Sequence, residues 1–244
     1  MSVEQRVQRT SRRTDRGALQ LSATLLLVGQ LAYVLVTQFH AGGHANDHRA
    51  IFATYAGSGA WKGVHVGQFL AMVVVVAGLV VFHQALGLRA GGAAAAARVG
   101  AVLAVVALAL YAVLQGVDGV GNQQVDAAWA HASATDRPAR FASAEAVRWL
   151  EWGVRSYHDY ALGLALVLLG IAATAVRATP VPTAVGWLMA GSGAAYLVQG
   201  WVVGAQGFSG THTILILVAW ALSLVWMIWL GVVLWRKPHL ERID

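Results

Sequence analysis

The chain has 244 residues, of which 58% are hydrophobic and only 11% charged, with a mean hydropathy of +0.61. Ordinary soluble domains carry roughly 25% charged residues, so a soluble fold is excluded: a chain of this size has nowhere to hide so much apolar surface. It has no cysteine, which removes disulfides, thiolate metal sites, iron–sulfur clusters and cysteine nucleophiles, and its net charge of +6 reads as a membrane-orientation signal, with no nucleic-acid signature beside it.

Residues 2–17 are polar and basic, and residues 1–18 are read as a cytoplasmic tail. The apolar run from Leu19 to Phe39 follows. It is too long for the core of a secretory signal, no small-x-small cleavage site follows it, and Arg12-Arg13 lacks the apolar residues of a twin-arginine signal, so it is expected to be retained as a span. Further spans are expected at about 64–86, 93–114, 146–176, 183–203 and 214–235, each near the roughly 20 residues that a bilayer crossing needs. The third is entered through the alanine run of AGGAAAAARVG, a strong helix former. Residues 116–137 read as a polar loop, with a short amphipathic helix near 125–134. Thr135-Asp136-Arg137-Pro138 then reads as a helix start with proline in the first turn. The fourth helix is thus expected over about 138–176, too long for the hydrocarbon core, so its first turns stand above the membrane. Thr179-Pro180-Val181-Pro182 breaks the chain, and residues 237–244 form a second tail.

The fold expected is therefore all-α: a polytopic bundle of six transmembrane helices over 19–236, with the long fourth helix protruding on the outer side. Six spans place both termini on one side. Eleven basic residues (Arg6, Arg9, Arg12, Arg13, Arg16, Arg89, Arg98, Arg177, Arg236, Lys237 and Arg242) gather there, against six (Arg49, Lys62, Arg137, Arg140, Arg148 and Arg155) at the other. The positive-inside rule makes both termini cytoplasmic.

With that topology the polar side chains collect in the outer half. The second helix supplies Lys62, His65 and Gln68, the third Tyr111 and Gln115 followed by Asp118, and the fourth Glu151, Arg155, His158 and Asp159. Tyr196 and Gln199 come from the fifth, and His212 lies between Thr211 and Thr213 at the start of the last. Groups that dislike hydrocarbon must satisfy one another, and drawn from several helices at one depth they point to a buried pocket. Glu151, Arg155 and His158 share a helix face. Glu145, Arg148, Trp152, Arg155 and Asp159 form an adjacent stripe whose carboxylates and guanidiniums can pair at i, i+3 and i, i+4. Glu145 and Arg148, high on the protruding segment, are expected on a solvated face, while Trp149 and Trp152 can wall a pocket.

Glu151, Asp118 and His158 are the acid–base candidates. His65, Gln68, Tyr111, Gln115, Trp152, Arg155, Asp159, Gln199 and His212 are the ligand-binding ones. For a metal, His65, His158 and His212 with Glu151 or Asp118 make a mixed nitrogen and oxygen set, without a diagnostic local motif. The loop histidines His40, His44 and His48, beside Asp47, are a second set, expected instead to be solvated because two glycines oppose a helix. A haem between His65 and His158 or His212 is a further alternative; His83, five turns from His65, has no histidine partner in the inner half. Gly59, Gly63 and Gly67 read as a close-approach stripe at the start of the second helix.

The stretches NDHRAIFATYAGSGAWKGVHVGQFL and RFASAEAVRWLEWGVRSYHDYALGLAL resemble small multi-span membrane proteins of bacterial, by composition actinobacterial, genomes that carry a domain of unknown function. The resemblance implies a multi-pass protein of the bacterial cytoplasmic membrane and carries over no catalytic residue. Three functions follow from the residues: a pocket for a small or lipid-like ligand or cofactor, with or without catalysis; a solute or proton-linked transporter; or an accessory subunit whose ion pairs only hold helices together. Against transport stand the lack of an inverted repeat and of a polar path through the inner half, where His83 and Gln84 are the only strong polar marks.

Overall fold

The structure is a computed structural model, which describes residues 15–176 and 180–236; the basic residues Arg6, Arg9, Arg12, Arg13, Arg177, Lys237 and Arg242, the first residue of the Thr179–Pro182 break and the tail 237–244 lie outside the described residues. Every regular element among the described residues is helical. The order is α1 (Arg16–Thr37), α2 (His48–Ala56), α3 (Trp61–Ala85), α4 (Gly91–Gly116), a π-helical turn (Val117–Asn122), α5 (Gln123–Ala130), α6 (Arg137–Thr174), α7 (Thr183–Gln206) and α8 (Gly210–Trp235).

Side-chain oxygens fix three of the starts, each accepting one of the backbone N–H groups that a first turn leaves unpaired. Asp15 takes Ala18 N–H at 3.0 Å, Asp47 takes Ala50 N–H at 3.2 Å, and Ser209 takes His212 N–H at 3.3 Å. Pro138 occupies the first turn of α6, where its missing N–H costs nothing.

The six long helices close into a ring in the order α1–α3–α4–α6–α7–α8, with α8 returning to α1. One continuous apolar core fills its interior, including Leu19, Leu26, Leu79, Phe82, Leu169, Met189 and Leu230. At the end distal to the cap, Arg16 donates to the carbonyls of Leu234 and Arg236, at 3.0 and 2.8 Å, tying the start of α1 to the end of α8. At the opposite end α2, the π turn, α5 and the first turns of α6 form a cap around a second small core of Ile51, Phe52, Tyr55, Trp61 and Ala144.

Five helical segments are long and apolar enough to cross a membrane: α1, α3, the continuous stretch Gly91–Ala130, α6 and α8. The chain is a helical membrane bundle. The sixth expected span, α7, has the length at 24 residues but is not among these five. It packs closely on α6. Gly186 and Gly193 lie seven residues apart and oppose Gly170 and Gly163 of α6. A Cβ on Gly193 would stand 2.5 Å from the Gly163 carbonyl, and one on Gly186 would stand 2.7 Å from that of Gly170. Small residues let the two backbones approach this closely.

Two local expectations are corrected. Residues 116–130 are not a loop: α4 continues through the π turn into α5, which matches the short helix expected near 125–134, and only residues 131–136 are turn and coil. In the Gly59–Gly63–Gly67 stripe only Gly67 meets a neighbour, where a Cβ would stand 3.0 Å from the Val36 side chain, while Gly59 and Gly63 face open space.

Enlarging Gly193 to Leu should wedge α6 from α7 and lower the melting temperature in detergent by several degrees, an overpacking cost of about 1–3 kcal/mol. Gly191→Leu, where nothing lies within 4 Å, should leave it unchanged, and equal effects at the two positions would contradict the packing described.

Candidate functional site

The cap decides which groups lose water. α2 lies across α5 and the upper part of α6, held by Phe52 against Trp129 and Phe141 and by the Arg49 guanidinium 5.0 Å over the Phe141 ring. His48 Nδ1–H donates to Glu145 Oε1 at 2.9 Å. Beneath this cover Arg148, expected on a solvated face, is only 1% exposed. The expectation fails because nothing in the local periodicity of α6 announces that another helix lies on it.

Arg148 donates from NH1 to Glu151 Oε2 at 2.6 Å and to the Tyr55 hydroxyl at 3.3 Å, and from NH2 to the Ala45 carbonyl at 3.2 Å. Its guanidinium also stacks over Phe208, 4.7 Å from the ring centre. Burial, the largest influence, raises the Tyr55 hydroxyl well above its ordinary range, so it stays a neutral donor. The same Glu151 oxygen accepts from Asn122 Nδ2 at 2.6 Å, and Asn122 also donates to Asp118 Oδ1 at 3.0 Å. A chain of polar contacts therefore runs from Tyr55 through Arg148, Glu151 and Asn122 to Asp118.

The π turn sets the last part of this path. Its wider winding brings Asp118 and Asn122 to one face and presses Gly119 onto α3, where a Cβ would come within 2.8 Å of His65. The Asp118 carbonyl accepts from Trp61 Nε1 at 3.1 Å. The Asp118 carboxylate then lies 3.1 Å from His65 Nε2 and 3.9 Å from His40 Nε2. Such turns recur where a helix must aim a functional side chain.

One turn deeper, Arg155 pairs with Asp159, Nε to Oδ1 at 3.1 Å, and donates to the Tyr33 hydroxyl at 3.4 Å; Tyr33 in turn accepts from Tyr111 at 3.2 Å. Between the two arginine layers lies a cavity of about 250 Å³. Five of the six long helices and the loop before α2 contribute to its wall.

Of the residues singled out from sequence, Glu151, Asp118, Gln68, Tyr111, Gln115, Arg155 and His212 line this cavity. His65 reaches it only through Asp118, since its other flank faces a groove with Lys62, Phe69 and Gly119. His158 does not face the space: Nδ1–H donates to the Ala107 carbonyl at 2.9 Å, and its ring packs on Tyr111. Asp159 stands behind Arg155. Gln199 is buried beside His212, donating to its Nε2 at 3.4 Å. Trp152 packs against His48 and Gly207, whose φ of +64° suits glycine alone.

The metal-capable group also differs from the expected trio. His65 is in it, but its companions are His40 and Asp118, not His158 and His212. Sequence reasoning further missed Tyr33, Trp220 and Phe208 on the cavity wall, and Asn122 and Asp126 behind it, both 0% exposed. Asn and Asp four residues apart after a glycine give no signal unless a π turn is suspected. Comparison of the chain with protein-family models, with curated proteins and with solved structures finds no match.

Removing one member of the buried Arg148–Glu151 pair leaves an uncompensated charge, at a cost of about 3–5 kcal/mol. Arg148→Met and Glu151→Leu should each lower the melting temperature strongly, while the double variant should be less destabilised than either. Additive losses would show that the pair is not coupled.

Proposed function

We propose that this is a six-span protein of a bacterial cytoplasmic membrane, with both termini cytoplasmic, whose outer-half cavity binds a small molecule with a polar head. The observation that carries the reading is the convergence of donors and acceptors from five helices on one cavity. Its volume lies just below the roughly 300–1,000 Å³ of small-molecule sites. Tyr33, Tyr111, Phe208 and Trp220 offer flat aromatic surface, and Gln68, Gln115, Thr213, His212 and Arg155 offer hydrogen bonds. Each arginine already faces a carboxylate and Asp118 adds a third, so the cavity has no spare positive charge. It suits a compact oxygen-bearing head with an attached apolar part better than a multiply charged anion. Glu151 and Asp118, joined through Asn122, are the groups placed to exchange a proton with such a head.

Transport is the weaker reading. Below the Tyr33–Tyr111–Arg155 layer, the described interior of the ring is filled by leucine, valine, alanine, phenylalanine, methionine and Trp226, with Gln30 among its buried polar residues. Its polar groups there are chiefly single serines bonded to backbone, such as Ser22 to the Gly78 carbonyl at 2.8 Å. A site closed on one side suits binding or chemistry at the outer leaflet.

Native mass spectrometry of the protein purified in mild detergent tests the reading. A bound small molecule should be present, and Ile216→Trp, which fills the cavity, should cut its occupancy at least tenfold. Leu217→Trp, on the exposed face of α8, should leave it intact. Equal occupancy in all three proteins, or none in any, would remove the proposal.

Orientation is testable because the chain lacks cysteine. A cysteine at Ala134 should react with an impermeant maleimide on intact cells stripped of their outer wall, and one at Gly92 only after permeabilisation. The reverse pattern would invert the topology.

A further inference from the structure

His65 is held in one tautomer. Its Nδ1 lies 2.8 Å from the Trp61 carbonyl, which can only accept, so Nδ1 carries the hydrogen and Nε2 of the neutral ring presents a lone pair. His40 is fixed in the same way, with Nδ1 2.9 Å from the Ala41 carbonyl. Both Nε2 atoms are aimed at the same carboxylate oxygen, Asp118 Oδ2, at 3.1 and 3.9 Å. Three acceptors thus face one point inside protein. The approach of His65 Nε2 to Asp118 is not aligned as a hydrogen bond, so that nitrogen is buried with no hydrogen-bond partner. One proton could serve only one of the two rings. Two would place two imidazolium ions on a single, largely enclosed carboxylate.

A divalent cation serves all three at once. We propose that His40 Nε2, His65 Nε2 and Asp118 Oδ2 bind a first-row transition-metal ion in the cavity wall. The ligand atoms lie within 4.8 Å of one another. Ligands about 2.1 Å from an ion in tetrahedral array stand about 3.4 Å apart, so an inward shift of His40, which sits in a loop, by about an ångström completes the set. Two imidazoles and one carboxylate suit zinc or ferrous iron, and a three-ligand set leaves positions open. Asn122, donating to Asp118 Oδ1, and the two backbone carbonyls are the outer partners that orient such ligands. His40 and Asp118 line the cavity whereas His65 approaches from behind, so the open positions face the ligand space. In this respect the inference rests on the cavity reading: the oxygen of the polar head is the natural fourth ligand.

Cobalt titration tests it. Full-length protein in detergent, stripped with a chelator, is titrated with Co²⁺ and followed by its visible d–d absorption, then challenged with Zn²⁺. One equivalent should bind saturably and be displaced by zinc. His40→Ala and Asp118→Asn should weaken binding by more than the about 10–100-fold that loss of an outer partner costs, and Asn122→Leu should fall within that range. His44→Ala, an exposed neighbour, should change nothing. Melting curves identify any variant that fails to fold, and His40→Ala, altering only a loop, is the one read if Asp118→Asn does. Absence of a stoichiometric cobalt spectrum, or equal losses in His44→Ala and His40→Ala, overturns the site. Cobalt binding without a small-molecule adduct removes the cavity reading and leaves the metal. An adduct without cobalt binding removes the metal alone.

Discussion

The structure of the capped end depends on the Glu151 carboxylate. It is 2% exposed, in a chain whose surroundings are mostly hydrocarbon, and one of its oxygens takes both Arg148 and Asn122 at 2.6 Å. A buried charge is tolerated only when its partners are complete, and an incomplete set is worse than an apolar core. Here the partners come from different places: Arg148 from the turn above on α6, and Asn122 from the π turn. Through Arg148 the same carboxylate is linked to Tyr55 of α2 and to the loop carbonyl of Ala45. The cap is therefore not a set of loops resting on a bundle. Its elements meet at one buried carboxyl group that none of them could satisfy alone.

The π turn gives the arrangement its direction. Winding α4 more widely for six residues turns Asp118 and Asn122 towards α6 and α3 while letting the helix continue into α5. Gly119 makes the close approach to His65 possible, and Trp61 locks the turn through the Asp118 carbonyl. A regular α-helix over the same residues would put these two side chains elsewhere on its circumference. The polar path from α2 to α3 thus depends on a local departure from helical regularity, with small residues wherever backbones must approach.

Much of this was legible in the chain. Long apolar runs and the Asp136-Arg137-Pro138 start give α6 almost to the residue, and the expense of charge in oil correctly singles out Glu151 and Arg155 as inward-facing. What escaped has a common physical cause: it depends on contacts between segments distant in sequence. Arg148 looks solvated until α2 covers it. His40 looks solvated until Ala41 and Asp118 are seen to face its ring nitrogens. α7 reads as an ordinary span, yet its glycines record a close packing face against α6. The π turn has no signature in hydrophobic periodicity, so nothing in the pattern marks Asn122 and Asp126. The expected grouping of His65 with His158 and His212 rested on depth alone, and depth does not say which side of a helix a ring occupies.

Glu151 joins α2, the π turn and α6 into one cooperative unit. Hydrogen–deuterium exchange of the wild-type protein against Glu151→Leu in detergent addresses it directly. Exchange should quicken only in residues 45–56 and 117–130, with the inner halves of α1, α3 and α8 as protected as before. Unchanged protection in both cap segments, or loosening spread evenly through the bundle, would contradict it.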